Sequence, residues 1–448
     1  MSLVNYLRAF YYLQVMNKRA FWNHKKLREY QNKKLRKIIM YAYGNSPFYY
    51  RKMKRAEISP EEIRTIEDIS KLPITRKDEL IKNLDDVVSK EFNVTDLRVQ
   101  RTSGSTGRPL YIYITESENE FRKAKHLRAQ IACGQKPWHK WVTITSPLHF
   151  AETTRFQRLL GLYAVTPISV FDDIATQISK IEKLKPNVLD GYSNSILLLA
   201  KEARKRGLNT IKPKFLVSGA ELIDVSSRRF IEDVFAAPLY DQYASVEFER
   251  MAWQCPEKTE YHIDADSIIM QFIDENGEEV APGEEGEIVC TSLYNYAMPL
   301  IRYALDDVGV PSEKTECPCG RTFPLMKVME GRKTSLLTFP SGRVLAPFAF
   351  MLAVWDFKFY GCIDLFRIIQ KRKDLLLFKL KLKNSAVDES IIQEELQAHL
   401  RKTLNIPEDE ITFDVEFVND IPLDKTGKFR IVVSEFNQNP DSASLTIS

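Results

Sequence analysis

The chain has 448 residues, 44% of them apolar and 28% charged, with a formal net charge of +4. A single core stops growing at roughly 250–300 residues, so two or more folding units are expected. No run of about 18 uncharged apolar residues is present, which excludes a transmembrane helix, and six unevenly spread cysteines exclude a disulfide framework and favour a reducing cytoplasm.

The opening stretch, Met1 to Trp22, breaks its apolar residues with Arg8, Lys18 and Arg19 and ends in no small-residue cleavage site, so no export signal is expected. From Lys25 to Arg55 eleven Lys and Arg residues face the single acid Glu29. Such a stretch is either a solvated basic helix face or a contact for phosphate or anionic lipid. The aromatics from Phe10 to Tyr12 upstream add peripheral contact with the inner face of a membrane as an expectation. Without a reading motif, the basic face predicts no specific nucleic-acid binding.

Leu27, Leu35, Ile38, Ile39 and Ala42 recur at helical spacing, and Asn45-Ser46-Pro47 ends that helix. Between about Ala124 and Tyr240, strand candidates such as Val142 to Thr145 and Phe215 to Ser218 alternate with helical stretches such as Ser193 to Arg206, which predicts an α/β layer structure. After Tyr261 the pattern turns to strands and tight turns: Ser267 to Ile273, the turn Asp274 to Gly277, then Gly286 to Cys290. Beyond Gly331, alternating runs at Leu365 to Ile369 and Leu375 to Leu382, a helix carrying Ile392, Leu396 and Leu400, and a strand from Ile411 to Val418 predict a small α+β unit. The expected fold is therefore α/β plus α+β: a large N-terminal domain, 1–331, with a β-rich subdomain, and a small mobile C-terminal domain, 332–448.

Arg101 to Pro109 packs two glycines, four hydroxyl residues and two arginines into nine positions. Glycines let the backbone approach an anion, and Ser and Thr add donors without bulk; the Gly-x4-Gly-Lys spacing of a Walker loop is absent. On composition alone the segment is equally a polar surface turn. Its order, Ser103-Gly104-Ser105-Thr106-Gly107-Arg108-Pro109, resembles the phosphate-binding signature of the adenylate-forming superfamily, nearest to the phenylacetate–CoA ligase and capsule-biosynthesis branch. Arg108 stands where Lys is frequent.

Further segments match that family in order. Ser218-Gly219-Ala220-Glu221 resembles the segment along the adenine ring. Asp241 to Glu247 resembles Asp-x-Tyr-Gly-x-x-Glu, which implies that Tyr243 stacks on adenine and Glu247 holds Mg²⁺, with Ala244 in place of the usual glycine. Pro299 to Asp307 resembles the segment ending in Gly-Asp; Asp307 is then the ribose ligand, and Asp306 sits where glycine is usual. Gly331 to Ser335 resembles the interdomain segment, with Arg332 near the ribose and Ser335 in place of the hinge Asp. Ile421 to Arg430, locally no more than an exposed turn, resembles the motif that makes Lys428 the catalytic lysine. The nucleotide set thus runs from Thr102 through Arg108, adds Ser218 to Glu221, Asp241 and Tyr243, and closes with Asp307 and Arg332.

Cys317-Pro318-Cys319 places two thiols in a turn, and Cys255 and His262 lie upstream where two strand ends can bring them together. Three thiolates and an imidazole make a closed tetrahedral zinc site of structural type, and similar clusters occur in the branch named above. Cys133, Cys290 and Cys362 fit as small core residues. Phe150, Tyr192 and Trp253 are either core aromatics or the lining of an acid pocket.

The resemblance implies an enzyme that uses ATP and Mg²⁺ to activate a small carboxylic acid as acyl-adenylate, releases pyrophosphate, and passes the acyl group to coenzyme A. Two alternatives stay open at this stage: transfer to an amine or a sugar without coenzyme A, and a zinc-stabilised binding protein with impaired catalysis.

Overall fold

The computed structural model describes residues 3–102, 110–147, 161–220, 225–258, 260–329, 337–341, 344–345, 353–354, 356–383, 387–404, 406–422 and 431–435, and the single positions 150, 153, 157, 159, 223 and 350. The chain divides into two compact units, Met1–Met329 and Glu330–Ser448.

The first unit opens with α1 (Leu3–Arg19), α2 (His24–Asn45), α3 (Pro47–Arg55) and the short α4 (Lys77–Lys82) and α5 (Leu84–Val87). Asn23 caps α2 by accepting from the Lys26 amide, and the helix buries Leu27, Leu35, Ile38, Ile39 and Ala42, the stripe that its spacing predicts. A hairpin follows, β1 (Arg98–Arg101) with β2 (Tyr111–Ile114), its strands antiparallel. Then comes α6 (Glu116–Ala132), started by a capping box in which Thr115 and Glu118 satisfy each other's backbone amides.

The sheet strands are β3 (Trp141–Thr145), β4 (Val165–Ser169), β5 (Val188–Tyr192), β6 (Phe215–Gly219) and β7 (Leu239–Ser245), with α7 (Ile174–Leu184), α8 (Ser193–Lys205) and α9 (Val225–Phe235) connecting β4 through β7. These strands are parallel and read as short apolar runs because both faces are covered. Then come β8 (Glu249–Gln254), β9 (Tyr261–Ile263), β10 (Ile268–Ile273), β11 (Gly286–Ser292), β12 (Tyr303–Pro311) and β13 (Leu325–Met329). Among the described residues all eleven, β3 to β13, share one sheet, in the order β10-β11-β12-β13-β9-β8-β7-β6-β5-β3-β4. The β-rich half is thus continuous with the parallel half across the antiparallel β7–β8 pair.

The second unit contains β14 (Leu337–Thr338), β15 (Val344–Leu345), β16 (Ile363–Arg372), β17 (Leu375–Leu382), α10 (Glu389–Leu404), β18 (Thr412–Phe417) and β19 (Val432–Ser434). Its four-stranded sheet runs β18-β17-β16-β19. Leu376, Phe378 and Leu380 alternate inward on β17 and meet Ile392, Leu396 and Leu400 of α10, each fully buried. Burying each such side chain is worth about 1.5–3 kcal/mol.

Candidate active site

Ligands of open α/β sheets sit beyond the carboxyl ends of the parallel strands. At that edge β6 ends in Ser218 and Gly219, and β7 runs through Asp241, Gln242 and Tyr243, with Gly219 opposite Gln242. A Cβ on Gly219 would lie 3.1 Å from the Gln242 carbonyl, so the close pairing favours glycine there. Ala220 continues with φ +67°.

Asp241 is buried and spends its carboxylate on the Ser218 hydroxyl at 2.5 Å and on the Tyr261 hydroxyl; burial raises its pKa, with these two donors acting against the rise. Ser218 and Asp241 therefore brace the strand ends with their side chains. The Tyr243 hydroxyl donates to Asp307 Oδ2 at 2.7 Å, and burial, with Asp307 beside it, holds the phenol well above its ordinary range. The Tyr303 hydroxyl donates to Glu247 Oε1 at 3.0 Å. Tyrosines thus hold both acidic candidates, Glu247 and Asp307, at one end of the sheet.

Asp306 adopts φ +59°, the left-handed conformation that suits glycine and that Asp tolerates better than most residues. This accounts for the pair Asp306-Asp307 where the family pattern has Gly-Asp. Arg302 turns away from the site: its guanidinium donates to the carbonyls of Ser70, Leu72 and Gly277 and pins the N-terminal segment to β12.

Thr102 closes the neck of the β1–β2 hairpin, its amide donating to the Leu110 carbonyl and its hydroxyl accepting from the Leu110 amide at 2.9 Å. Ser103, Gly104, Ser105, Thr106, Gly107 and Arg108 lie outside the described residues, as do Glu221, Arg332, Ser335 and Lys428.

The site also rests on residues that its sequence motifs leave out. On α6, Glu118, Arg122, Lys125 and Arg128 are all buried. Arg122 donates to the carbonyls of Val246 and Glu247 and to Gln100 of β1, tying the hairpin to the Glu247 turn. Lys125 donates to the Phe248 carbonyl at 3.0 Å, and burial lowers its pKa to about 8. Arg128 bridges Asp264 and Asp266, all three almost without exposure. Charged residues at this spacing look like a solvated helix face, and only their partners, most of them more than 100 positions away, reverse that reading.

The second cluster lies in the antiparallel half. Cys255 follows β8, His262 lies in β9 opposite Leu325 of β13, and Cys317 and Cys319 sit in the turn between β12 and β13. Strand pairing brings the four side chains together, with their ligand atoms all within 4.8 Å of one another. Gly320, at φ +76°, allows the turn to close. Cys255 Sγ is 3.6 Å from Cys317 Sγ, and Cys319 Sγ is 3.3 Å from His262 Nε2. Zn–S bonds of about 2.3 Å and Zn–N bonds of about 2.0 Å in a tetrahedron imply separations of about 3.8 and 3.5 Å, so the cluster fits zinc. Burial lowers His262 to about pKa 4, which keeps the imidazole neutral as a ligand must be. Trp253 belongs here and not to an acid pocket: it is fully buried, donates to Asp264 at 2.8 Å and packs against His262. Tyr192 is buried with its hydroxyl near Thr145 and Ser146, whereas Phe150 is partly exposed.

No family model matches the chain. It is 27% identical over 326 residues to a phenylacetate-coenzyme A ligase of Thermus thermophilus, covering 70% of this chain and 72% of that one. It is 24% identical over 419 residues to protein CapK of Staphylococcus aureus, covering 91% and 89%. Among solved structures, 2-hydroxyisobutyryl-CoA ligase in a postadenylation state superposes with a TM-score of 0.77 at 22% identity, over 93% of this chain and 91% of that one. In sequence the chain is thus similar to phenylacetate-coenzyme A ligases and to CapK over most of its length, and in fold it matches 2-hydroxyisobutyryl-CoA ligase.

Proposed function

We propose that the protein activates a small carboxylic acid with ATP, as acyl-adenylate, and transfers the acyl group to coenzyme A. The observation that carries this reading is the pairing of Glu247 with Tyr303 and of Asp307 with Tyr243 at the end of β7. Tyr243 and the Ser218–Ala220 backbone form the adenine side, with Glu221 next in chain, and Asp307 with Arg332 takes the ribose. Residues Ser103 to Arg108 hold the β- and γ-phosphates through backbone amides and hydroxyls. Glu247 would hold Mg²⁺, which, when bound, neutralises phosphate charge. Lys428, on the small mobile domain, balances charge on the α-phosphate and the incoming carboxylate. The carboxylate oxygen attacks the α-phosphorus and pyrophosphate leaves, so the protein's part is positioning and charge neutralisation.

Cys255, His262, Cys317 and Cys319 would hold a structural zinc. All four protein ligands are used, and the Cys317–Gly320 turn is tied to the N-terminal helices through Thr322, whose hydroxyl donates to the Trp22 carbonyl. The setting is cytoplasmic. Among the described residues no helix is long and apolar enough to cross a membrane. Exposed Val4, Leu7, Phe10 and Tyr11 of α1, beside the basic α2, support peripheral contact with an anionic membrane.

ATP–pyrophosphate exchange over a panel of carboxylic acids, with and without coenzyme A, tests the reading. Acid-dependent exchange with acyl-CoA formed supports it. Exchange without acyl-CoA moves the acceptor to an amine or a sugar, and no acid-dependent exchange overturns it.

A further inference from the structure

Apart from the residues assigned to catalysis lies a cleft of about 810 Å³, a volume typical of small-ligand pockets. It is walled by α1, α2, the start of α6 and the segment after β11. α2 contributes Tyr30, Lys34, Lys37 and Tyr41, whose spacing puts them on one helix face beside the buried stripe. Arg19 of α1 adds a third cation.

These cations lie against rings. Arg19 is 4.4 Å from the centroid of Tyr30, and Lys37 is 5.3 Å from that of Tyr296. Neither Lys34 nor Lys37 has a hydrogen-bonding or carboxylate partner among the described residues. Burial, then the neighbouring Arg19 and Lys37, lowers the pKa of Lys34, as expected of an ammonium that lacks a counter-charge. Arg19 Nε and the Tyr296 hydroxyl are buried without a partner. Such orphaned donors are costly unless something in the cleft completes them.

The carboxylates in and beside the cleft do not fill that role. Glu118 is spent on the amides of Thr115, Tyr296 and Ala297, Glu91 is exposed, and Asp266 approaches another guanidinium nitrogen of Arg19 only to 3.8 Å. One part of the wall is aromatic: Phe121 stacks on Tyr294 at 4.5 Å and meets the edge of Tyr12 at 5.3 Å.

We propose that this cleft binds an anionic amphiphile, with a phosphate or carboxylate head on Lys34, Lys37, Arg19 Nε and the Tyr296 hydroxyl, and an apolar body against Tyr12, Phe121 and Tyr294. Its source is either a lipid drawn from an anionic membrane or a soluble acid. The site is separate from the nucleotide residues, so occupancy and adenylation are measured independently.

The test is calorimetric titration of the full chain with dodecyl phosphate below its micellar concentration, with dodecyl maltoside as the neutral control and inorganic phosphate as the head alone. Dodecyl phosphate is expected to bind one per chain, with Lys34→Gln and Lys37→Gln each weakening it about tenfold or more while pyrophosphate exchange stays unchanged. Equal binding of dodecyl maltoside or of inorganic phosphate overturns the proposal, as does unchanged affinity in both variants. Flotation with phosphatidylcholine–phosphatidylglycerol vesicles separates the sources: loss of vesicle binding in Lys34→Gln assigns the site to lipid, and loss of dodecyl phosphate binding alone assigns it to a soluble acid.

Discussion

Arg128→Met removes a guanidinium that holds two buried carboxylates, and its cost follows from the geometry. Arg128 Nη1 lies 2.9 Å from Asp266 Oδ1, Nη2 donates to Asp264, and the side chains are 2% and 0% exposed. At about 3 Å and an effective dielectric of about 20, each pair attracts by about 5 kcal/mol before desolvation is counted. Breaking a single buried pair costs about 3–5 kcal/mol because the remaining charge is stranded. Here two charges are stranded on one side and methionine restores only part of the packing, so a loss of about 5 kcal/mol is expected. Domain stabilities lie at about 5–15 kcal/mol, so the variant should be marginal. Urea unfolding followed by tryptophan fluorescence measures it, with Trp253, bonded to Asp264, as a local reporter. Adding Asp264→Asn and Asp266→Asn to Arg128→Met should recover part of the loss, since neutral amides are cheaper to bury than unpaired carboxylates. A loss below about 1 kcal/mol in the single variant would show that the carboxylates are hydrated or protonated and would refute the reasoning.

Lys428→Ala should abolish adenylate formation while ATP still binds, a cost of about 3–4 kcal/mol in the transition state; Glu247→Gln should instead weaken Mg²⁺-dependent nucleotide binding, and near-normal pyrophosphate exchange in either would remove that assignment. Purified protein should carry about one zinc per chain, and Cys317→Ser should lower the melting temperature; metal-free protein that melts unchanged would refute the site. Burial depresses the folded pKa of Lys125 from 10.5 to about 8, so between those values the unfolded chain binds the extra proton and stability should rise with pH. Lys125→Met should flatten that rise between pH 8 and 10, and an equal rise in both proteins would contradict it.

What the sequence determined by itself was local. The spacing of Leu27, Leu35, Ile38 and Ile39 fixes α2, the alternation from Leu375 to Leu382 fixes β17, and the ordered motifs single out Glu247 and Asp307 as candidates. Each pattern needs only neighbours in the chain. Tertiary structure alone decided which charges are buried. Arg122, Lys125 and Arg128 resemble any solvated helix face until Glu247, Phe248 and Asp264 arrive from more than 100 residues away. It likewise joined the β-rich half to the parallel sheet, moved Trp253 to the cysteine cluster and gave Asp306 its left-handed backbone. The physical reason is the same throughout. The cost of burying a charge or a strained residue is set by its partners in space, and those partners are not neighbours in the chain.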